Sequence, residues 1–563
     1  MSDTKVKINP ISTGVPGLDR VLGGGLPEYS FNLIAGMPGT GKTTLSQQIM
    51  FANATAERPA LHFTVLGEPP LKMLRYQQQF DFFDPEKVGE VIQFRNLSEE
   101  VLSGDLDRVL EAIVSEVERS DPEIVLVDSF RTIMRSPSGG QGNEAEIQNF
   151  LQNLSLHLTS WEATSFLIGE YAEAEIRDNP VFTVADGIIW MQQVVERNSS
   201  VRKLQARKVR GQAPMPGLHT FRISEGGVRV FPRTDIALRE GAKPRPTGRV
   251  STGVKGLDRL LGGGIPAGDS VLLAGPSGSG KTVVGSQFVA AGNETGERAV
   301  IAVFEEDPEA YIARAASLGI ELGGMIEKGD LRVIFLRPLD LSADEALEEI
   351  KAAVEEIEAS RVVIDSLSGF EIALAQTFQE EFRESLYRMV SALTRVGVTV
   401  LMTVEVTEEY TSLRFSPHAI SFLTDDLILQ RYVEMEGALQ SVINVVKMRG
   451  SAHSREWCAY SITEGGLVVG EALTRYRGII SGMPVPREDS RTEYPGLTDG
   501  EMVALRALDN LREATVRMVA EETGASEEET RTALERMAAL NYALRREKEG
   551  ASTYRLAARS LKA

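Results

Sequence analysis

The chain has 563 residues, of which 42% are hydrophobic, and a formal net charge of −20 at pH 7. This length is too great for one hydrophobic core, so several globular domains are expected. The acidic excess disfavours broad, nonspecific binding to nucleic acid or to an anionic membrane. Cys458 is the only cysteine, which excludes an intrachain disulfide and a cysteine-rich metal site and fits a reducing compartment.

The first ten residues, MSDTKVKINP, lack the apolar segment of a signal peptide. No apolar run approaches the length of about 18 residues that is typical of a membrane-spanning helix. We therefore expect a cytoplasmic protein that does not associate with membranes.

Two segments of the chain are nearly identical. Ile11–Pro27 and Val250–Pro266 share 13 of 17 positions at an offset of 239 residues. Each is followed by a GxxxxGKT motif, at Gly36–Thr43 and Gly275–Thr282, again 239 residues apart. The repetition predicts a tandem duplication with two sites for a nucleoside triphosphate.

Within each copy, short β-branched runs alternate with amphipathic stretches, which is typical of an α/β fold with a parallel sheet flanked by helices. The motifs follow the strands at their carboxyl ends, where open α/β sheets bind ligands. The predicted strands are Ser30–Ala35, Ala60–Leu66, Glu123–Asp128 and Ser165–Gly169, then Asp269–Ala274, Ala299–Phe304, Arg361–Asp365 and Val398–Thr403.

Two proline-rich polar linkers, Arg239–Gly248 and Met483–Gly496, divide the chain. The predicted domains are residues 1–240, 241–485 and 497–563. The third is similar to a small winged helix. Its predicted elements are helices over Asp499–Leu511, Ala514–Thr523 and Glu527–Leu540, and a hairpin over Tyr542–Leu556.

Two charged groups bear on DNA binding by this third domain. The predicted wing contains three basic residues, Arg545, Arg546 and Lys548. The helix that would enter a groove, however, opens with three carboxylates, Glu527–Glu529, which phosphates would repel. We favour a protein-interaction or ring-capping role over DNA binding.

A glycine-rich loop that leads into a helix leaves backbone N–H groups free to surround phosphates. Lys42 and Lys281 are expected to reach the phosphates, and the hydroxyls of Thr43 and Thr282 to bind Mg²⁺. The residues expected to contact the nucleotide are Gly39, Thr40, Gly41, Lys42, Thr43 and Thr44 in the first copy, and Gly278, Ser279, Gly280, Lys281, Thr282 and Val283 in the second.

Carboxylates after apolar strands complete the predicted chemistry. Asp128 and Asp365 are expected to be the acidic ligands of Mg²⁺. In the second copy, Glu305 and Glu306 are candidates for the base that activates the attacking group, and Glu306 is also a candidate metal ligand. The first copy reads Leu66-Gly67-Glu68, so Gly67 replaces the first glutamate and Glu68 is the remaining catalytic candidate.

Taken together, these residues resemble the KaiC family, the double-domain RecA-like ATPases and autokinases of the cyanobacterial circadian clock and their relatives. The similarity covers residues 8–484. It rests on the duplicated segment, both P-loops and the Phe-Glu-Glu strand end, together with Val363–Ser368 and with Lys447–His453 and its counterpart Lys208–Gly211.

The resemblance implies a homohexamer of two stacked RecA-like rings with Mg²⁺-ATP held between subunits. It also implies that a set of basic residues reaches the nucleotide of the neighbouring subunit, where a cation neutralises the charge that develops in phosphoryl transfer. These residues are Lys208, Arg210, Lys447, Arg449 and His453. By the same resemblance, Ser421 is the expected site of autophosphorylation.

Three departures from the family pattern limit these expectations. Phe422 replaces the second acceptor beside Ser421, Gly67 weakens the case for hydrolysis in the first domain, and the third domain replaces the tail used by the activator KaiA. Regulation by KaiA is therefore not expected, whereas a KaiB-like partner on the first ring stays open. Two alternatives are a RecA-like DNA-binding motor or recombinase, which the charge of −20 disfavours, and an ATP-dependent regulatory scaffold without kinase activity.

Overall fold

We describe the protein from a computed structural model. The structure describes residues 9–65, 70–134, 144–177, 179–196, 199–233, 244–336, 341–374, 382–406, 420, 423–435, 437–482, 484–486, 496–548 and 551–557. The chain divides into two compact units, Met1–Tyr432 with Ser441–Glu471, and Val433–Gln440 with Ala472–Ala563. The first unit contains both P-loops.

The first repeat begins with a two-stranded ribbon and continues into a nine-stranded sheet. Its strands are β1 (Pro10–Ile11), β2 (Leu26–Pro27), β3 (Phe31–Gly36), β4 (Ala60–Thr64), β5 (Ile92–Asn96), β6 (Ile124–Asp128), β7 (Thr164–Glu170), β8 (Gly187–Glu196), β9 (Ser199–Val209), β10 (His219–Ser224) and β11 (Gly227–Phe231). Its helices are α1 (Leu18–Leu22), α2 (Lys42–Asn53), α3 (Pro70–Gln77), α4 (Ser98–Leu102), α5 (Leu106–Ser120), α6 (Phe130–Met134), α7 (Glu144–Ser160) and α8 (Pro180–Val184).

The sheet of this repeat has the strand order β11-β10-β9-β8-β3-β7-β6-β4-β5. From β8 to β5 neighbouring strands run parallel, and β8 to β11 form an antiparallel extension. Alternate residues of β3 belong to different apolar clusters, Leu33 to one and Ile34 to the other. The sheet is therefore covered on both faces, as a parallel sheet requires.

The second repeat has the same architecture. Its strands are β12 (Arg249–Val250), β13 (Ile265–Pro266), β14 (Ser270–Gly275), β15 (Ala299–Val303), β16 (Leu331–Phe335), β17 (Arg361–Asp365), β18 (Thr399–Glu405), β19 (Asp426–Met435), β20 (Ala438–Met448), β21 (Cys458–Thr463) and β22 (Gly466–Ala472). Its helices are α9 (Lys255–Leu260), α10 (Lys281–Glu294), α11 (Pro308–Ala316), α12 (Leu322–Glu327), α13 (Ala343–Glu356), α14 (Leu367–Ala373) and α15 (Phe382–Arg395).

The second sheet has the order β16-β15-β17-β18-β14-β19-β20-β21-β22. In both sheets the strand before the P-loop, β3 or β14, is central. The predicted α/β fold with two tandem RecA-like domains is confirmed. The eight predicted strands are confirmed to within two residues at each described end. The prediction did not include the parallel strands β5 and β16, or the strands β8–β11 and β19–β22.

Arginines of the first repeat form ion pairs with helices of the second. Arg222 on β10 donates from Nε and Nη2 to the Glu345 carboxylate of α13, at 3.0–3.2 Å. Arg229 on β11 and Arg20 on α1 pair with Glu349 and Glu348 one turn further along α13. The same helix packs on β15 and contributes Ala346 and Ile350 to the apolar core of the second repeat.

The C-terminal unit contains β23 (Tyr476–Arg477), β24 (Val485–Pro486), α16 (Asp499–Leu511), β25 (Glu513–Thr515), α17 (Val516–Thr523), α18 (Glu527–Ala539), β26 (Ala543–Lys548) and β27 (Ala551–Leu556). Residues of its three helices share a core with the sheet β25-β27-β26, including Val519, Leu534 and Met537. The predicted helix start at Ala514 was wrong, because Ala514 lies in β25 and Thr515 caps α17. The winged-helix assignment and the domain boundaries stay predictions.

Glu529, one of the three carboxylates that disfavoured DNA binding, has a local structural role. Its backbone N–H donates to Ser526 Oγ, while its carboxylate accepts from the Ser526 backbone, which is a capping box at the start of α18. In the parts of the chain that the structure describes, no helix is both long and apolar enough to cross a bilayer.

Candidate functional site

Each P-loop connects the central strand of its sheet to a helix that starts at the motif lysine. β3 ends at Gly36 and α2 begins at Lys42, with Gly41 as its N-cap at φ 96°. The second loop has the same form, with Gly280 at φ 88° before Lys281. Backbone of this kind favours glycine because a side chain at positive φ is strained. The loop therefore places the first-turn N–H groups of a helix at the carboxyl end of the sheet.

The two P-loop lysines lie against their own loops. Lys42 Nζ donates to the Met37 carbonyl at 2.8 Å, and Lys281 Nζ to the Gly275 and Pro276 carbonyls at 2.9 and 2.7 Å. Burial lowers the pKa of both amines, and nearby carboxylates oppose that shift. An ammonium in a partly desolvated, acidic environment at a helix N-terminus is suited to binding phosphate oxygens.

The predicted metal ligands are adjacent in the first site. Thr43 Oγ1 donates to Asp128 Oδ2 at 2.7 Å. In the second site Asp365 instead accepts from Thr403 Oγ1 on β18, at 2.5 Å. Hydroxyl and carboxylate oxygens are ligands that Mg²⁺ prefers, and it commonly takes only one or two protein ligands, with phosphates and water completing its shell. The residues present therefore fit Mg²⁺-nucleotide.

Across the described ranges, no group of three or more His, Cys, Asp or Glu is placed to hold a metal. This agrees with a metal that would be carried largely by the nucleotide. A cavity of about 340 Å³ lies over the first P-loop and is lined by Lys42, Thr43, Asp128, Glu170 and Ile223, among others. Ile223 follows Arg222 on β10. The strand whose Arg222 forms the ion pair with α13 therefore also lines this cavity.

The strand-end carboxylates of the second site have different partners. Glu305 Oε1 accepts from Ser366 Oγ at 2.7 Å, which places it beside Asp365. A Cβ at Gly369 would lie 2.6 Å from Glu305 Cγ, so glycine leaves the room that Glu305 occupies. Glu306 pairs with Arg314 on α11. Of the two candidates, Glu305 is the one held next to the P-loop.

The first site differs at the corresponding positions. Thr132 stands where the second site has Gly369, and its hydroxyl lies 3.1 Å from Ser129 Oγ. Thr64 pairs with Asp128 as Val303 pairs with Asp365. A residue count from these pairs aligns Leu66 and Gly67 with Glu305 and Glu306, and Glu68 with Asp307. The predicted alignment of Gly67 with the first glutamate is therefore corrected by one residue. Residues 66–69, and with them Glu68, lie outside the described residues.

The sequence reading missed one carboxylate in each site. Glu170 ends β7 directly opposite Gly36, and Glu405 ends β18 directly opposite Gly275. The predicted strands stopped at Gly169 and Thr403, short of these glutamates. A comparison of the two strand ends, LIGE and MTVE, could have identified them.

The predicted basic residues lie near the amino-terminal ends of the parallel strands, which is the edge of the sheet opposite their own P-loop. Arg210 Nη1 donates to Asp186 Oδ1 at 2.8 Å, and Asp186 accepts from the Phe31 backbone at the start of β3. Five residues of strand, about 17 Å, separate Phe31 from the P-loop at Gly36. Lys208 Nζ donates to the Thr183 carbonyl at 3.1 Å, near the same edge.

The second repeat shows the same placement. Arg449 pairs with Asp425 at 3.8 Å, and the Asp425 carboxylate accepts from the Ser270 backbone at the start of β14. Lys447 donates to the Thr424 carbonyl. Burial and a neighbouring arginine lower the pKa of Lys447, as they do for Lys208. The basic residues of each repeat are therefore not brought to the nucleotide site of that repeat.

His453 follows the second basic motif and is half-buried. Its Nε2 has no hydrogen-bond partner among the residues that the structure describes. The predicted phosphorylation site, Ser421, lies outside the described residues together with Phe422. Thr424, three residues further on, is buried.

The fold and the two P-loop sites define a tandem P-loop ATPase of the RecA-like class. The model of the KaiC ATPase family matches residues 11–235 and 250–474, which together cover most of the chain, and the protein belongs to this family. Its similarity to curated relatives extends across nearly their full length.

Three of these relatives show the extent of the likeness. The circadian clock oscillator protein KaiC of Picosynechococcus sp. is 28% identical over 486 residues, covering 85% of this chain and 92% of that protein. The KaiC of Rippkaea orientalis is 29% identical over 491 residues, covering 86% and 92%. The circadian clock protein KaiC3 of Synechocystis sp. is 28% identical over 509 residues, covering 87% and 98%.

Proposed function

We propose that the protein is a homohexameric, double-ring ATPase and serine autokinase that binds Mg²⁺-ATP between subunits and signals its nucleotide or phosphorylation state to protein partners. The observation that carries the proposal is the placement of the basic residues. In each repeat they lie at the sheet edge away from their own P-loop, which supports a role at the nucleotide site of an adjacent subunit.

In this proposal, Lys42 and Lys281 bind the phosphates of ATP, assisted by the N–H groups of residues 39–44 and 278–283. Thr43 with Asp128, and Thr282 with Asp365, hold Mg²⁺, which supplies neutralisation of the phosphate charge. Lys208 and Arg210, or Lys447, Arg449 and His453, approach the γ-phosphate from the adjacent subunit. Glu305 accepts a proton from the attacking water or hydroxyl, and Glu306 is the second candidate.

For the kinase step we propose Ser421 as the acceptor. Its Oγ would form a bond to the γ-phosphorus, the bond between that phosphorus and the bridging oxygen would break, ADP would leave, and the serine proton would pass to Glu305. The resemblance to autokinases supports this step, while Phe422 in place of a second acceptor makes a single-site reaction the expectation.

Assembly provides the first test. A nucleotide buried between subunits stabilises only the assembled state, so light scattering should show hexamers with Mg²⁺-ATP and smaller species after nucleotide removal. A monomer under both conditions would exclude sites between subunits.

Peptide mass spectrometry after incubation with Mg²⁺-ATP tests the kinase step. Phosphate on Ser421 that disappears in a Glu305→Gln, Glu306→Gln variant supports it. An unmodified peptide over 414–431, in protein that still hydrolyses ATP, would leave an ATP-dependent scaffold without kinase activity.

A KaiB-like partner on the first ring is retained and KaiA is not expected. For the C-terminal unit, a protein-interaction role is favoured over DNA. Titration of labelled single- and double-stranded DNA at two salt concentrations separates these classes, because binding through phosphates weakens steeply with salt.

A further inference from the structure

We propose that Glu170 orients and deprotonates the attacking water in the first nucleotide site, in place of the strand-end carboxylate that serves the second site. The inference rests on the proposed function of that site as an ATPase centre. It assigns a catalytic role to a residue that no motif of the sequence marks.

The position of Glu170 is set by the sheet. β7 is the parallel neighbour of β3, and their register pairs Glu170 with Gly36, the residue at which the P-loop begins. The side chain lines the cavity of about 340 Å³ that also contains Lys42, Thr43 and Asp128. Glu405 has the same register with Gly275 in the second repeat, so the placement is a property of the duplicated fold.

Electrostatic interactions agree with this placement. Among the charges that oppose the effect of burial on the Lys42 pKa, Glu170 has a larger influence than Asp128. In the second site Glu405 has a larger influence on Lys281 than either Asp365 or Glu305. Both glutamates therefore act electrostatically on the lysine that would bind the phosphates.

Among the described residues of the first site, Glu170 is the carboxylate left for this role, because the other acidic positions there are engaged or replaced. Of the described residues that line the cavity, the carboxylates are Asp128 and Glu170, and Asp128 already accepts from Thr43. Thr132 fills the position of the glycine that makes room for Glu305 in the second site. Leu66 and Gly67 are the counterparts of Glu305 and Glu306.

The reaction is hydrolysis of the terminal phosphoanhydride. The water oxygen bonds to the γ-phosphorus, the bond to the bridging oxygen breaks, ADP and phosphate leave, and one water proton passes to the Glu170 carboxylate. Replacement of this carboxylate by an amide removes the proton acceptor and leaves the size of the side chain and the cavity unchanged.

The test isolates each site within the full chain. In a Lys281→Ala background, where only the first site can turn over, kcat and KM for Mg²⁺-ATP are measured with and without Glu170→Gln. We expect kcat to fall at least about 10-fold while KM changes by less than about twofold. Glu170→Asp should restore part of the rate.

Glu405→Gln in a Lys42→Ala background is the matched control. The second site retains Glu305, so kcat there should fall by less than about threefold. Binding of a fluorescent ATP analogue, measured for every variant, shows that each P-loop remains folded.

Three results would overturn the inference: an unchanged kcat in the Glu170→Gln variant, a rise in KM with kcat preserved, or a Lys281→Ala chain that binds nucleotide at the first site and hydrolyses none. The last result would leave the ATPase function at the second site intact. Hydrolysis at the wild-type rate by a Lys42→Ala, Lys281→Ala chain would instead refute the proposed function itself.

Discussion

The two repeats have the same strand order and the same P-loop geometry, yet they differ at residues that follow the strands beside the P-loop. The second repeat holds Glu305 through Ser366 and leaves space for it at Gly369. The first repeat has Thr132 at the position equivalent to Gly369, with its hydroxyl 3.1 Å from Ser129 Oγ. Duplication thus preserved the phosphate-binding loop, while the groups that would activate water diverged.

The repeats also differ inside their sheets. His62 on β4 is fully buried, both its ring nitrogens lack partners among the described residues, and the equivalent position on β15 is Ile301. Asp426 on β19 is fully buried, and the equivalent position on β8 is Gly187. At each of these two positions one repeat buries an ionisable group where the other has none, and the two groups respond oppositely to pH.

The largest effect is expected at Glu305. In a Lys42→Ala background, Glu305→Gln should reduce steady-state hydrolysis about 10³-fold, because it removes the proton acceptor beside Asp365. Glu306→Gln is the matched control and should cost less than about 10-fold, because Glu306 is paired with Arg314. Equal losses in the two variants would show that the carboxylates act as a pair.

Asp426 should make the second repeat less stable as the pH rises. Burial, and then the Asp425 carboxylate, raise the Asp426 pKa from 3.8 to about 7. The folded state therefore binds more protons than the unfolded state between these values, and stability falls from about pH 4 to pH 7. The expected loss in the free energy of unfolding is on the order of 4 kcal/mol, because each unit of pKa difference corresponds to about 1.4 kcal/mol.

Asp426→Asn tests this dependence, because the amide remains neutral at every pH. The ratio of hydrogen exchange rates of the β19 peptide, wild type to variant, should be smallest near pH 4 and should rise to its largest value at pH 8. Identical exchange at both pH values would contradict a raised pKa at Asp426.

His62 should have a smaller effect of opposite sign. Burial lowers its pKa from 6.5 to about 4. The unfolded state binds the extra proton between these values, so the stability of the first repeat is lost as pH falls from about 6.5 to 4, by on the order of 3 kcal/mol. His62→Leu should remove the acid-induced increase in hydrogen exchange of the β4 peptide. The control variant Ile301→Leu should leave the pH dependence of hydrogen exchange of the β15 peptide unchanged.

The smallest effect is expected where the repeats meet. Arg222 makes a two-pronged contact with Glu345, and a double-mutant cycle with Arg222→Gln and Glu345→Gln should give a coupling energy of about 1 kcal/mol in thermal unfolding. Arg229 and Glu349 are both more exposed and should couple less. A coupling of zero for Arg222 and Glu345 would mean that α13 docks through its apolar contacts alone.

Much of this architecture could be predicted because it depends on local patterns. The β-branched runs predicted eight of the parallel strands, and the GxxxxGKT spacing predicted both phosphate loops. The outer parallel strands β5 and β16 were missed, because most of their residues are half-buried or exposed and their apolar pattern is weaker. Strands β8 to β11 were missed because their hydrophobic pattern does not show which edge of the sheet they extend. Glu170 and Glu405 were missed because their importance depends on the register between distant strands, which no sequence window contains.

Glu306 illustrates the same limit. In the sequence, Glu305 and Glu306 are equally good candidates for the catalytic base. Only the structure distinguishes them, because Glu306 pairs with Arg314 while Glu305 accepts a hydrogen bond from Ser366. The location of the basic residues also could not be predicted without the fold. The sequence shows their spacing from the P-loop but not that they lie at the opposite edge of the sheet.

We expect the two nucleotide sites of this KaiC-family chain to differ in catalytic strength. Steady-state ATP hydrolysis by Lys42→Ala and Lys281→Ala variants, compared at equal protein concentration, tests this difference most directly. Lys42→Ala should retain more than about half of the wild-type rate, and Lys281→Ala less than about a tenth. Equal rates in the two variants, or a faster Lys281→Ala chain, would contradict it.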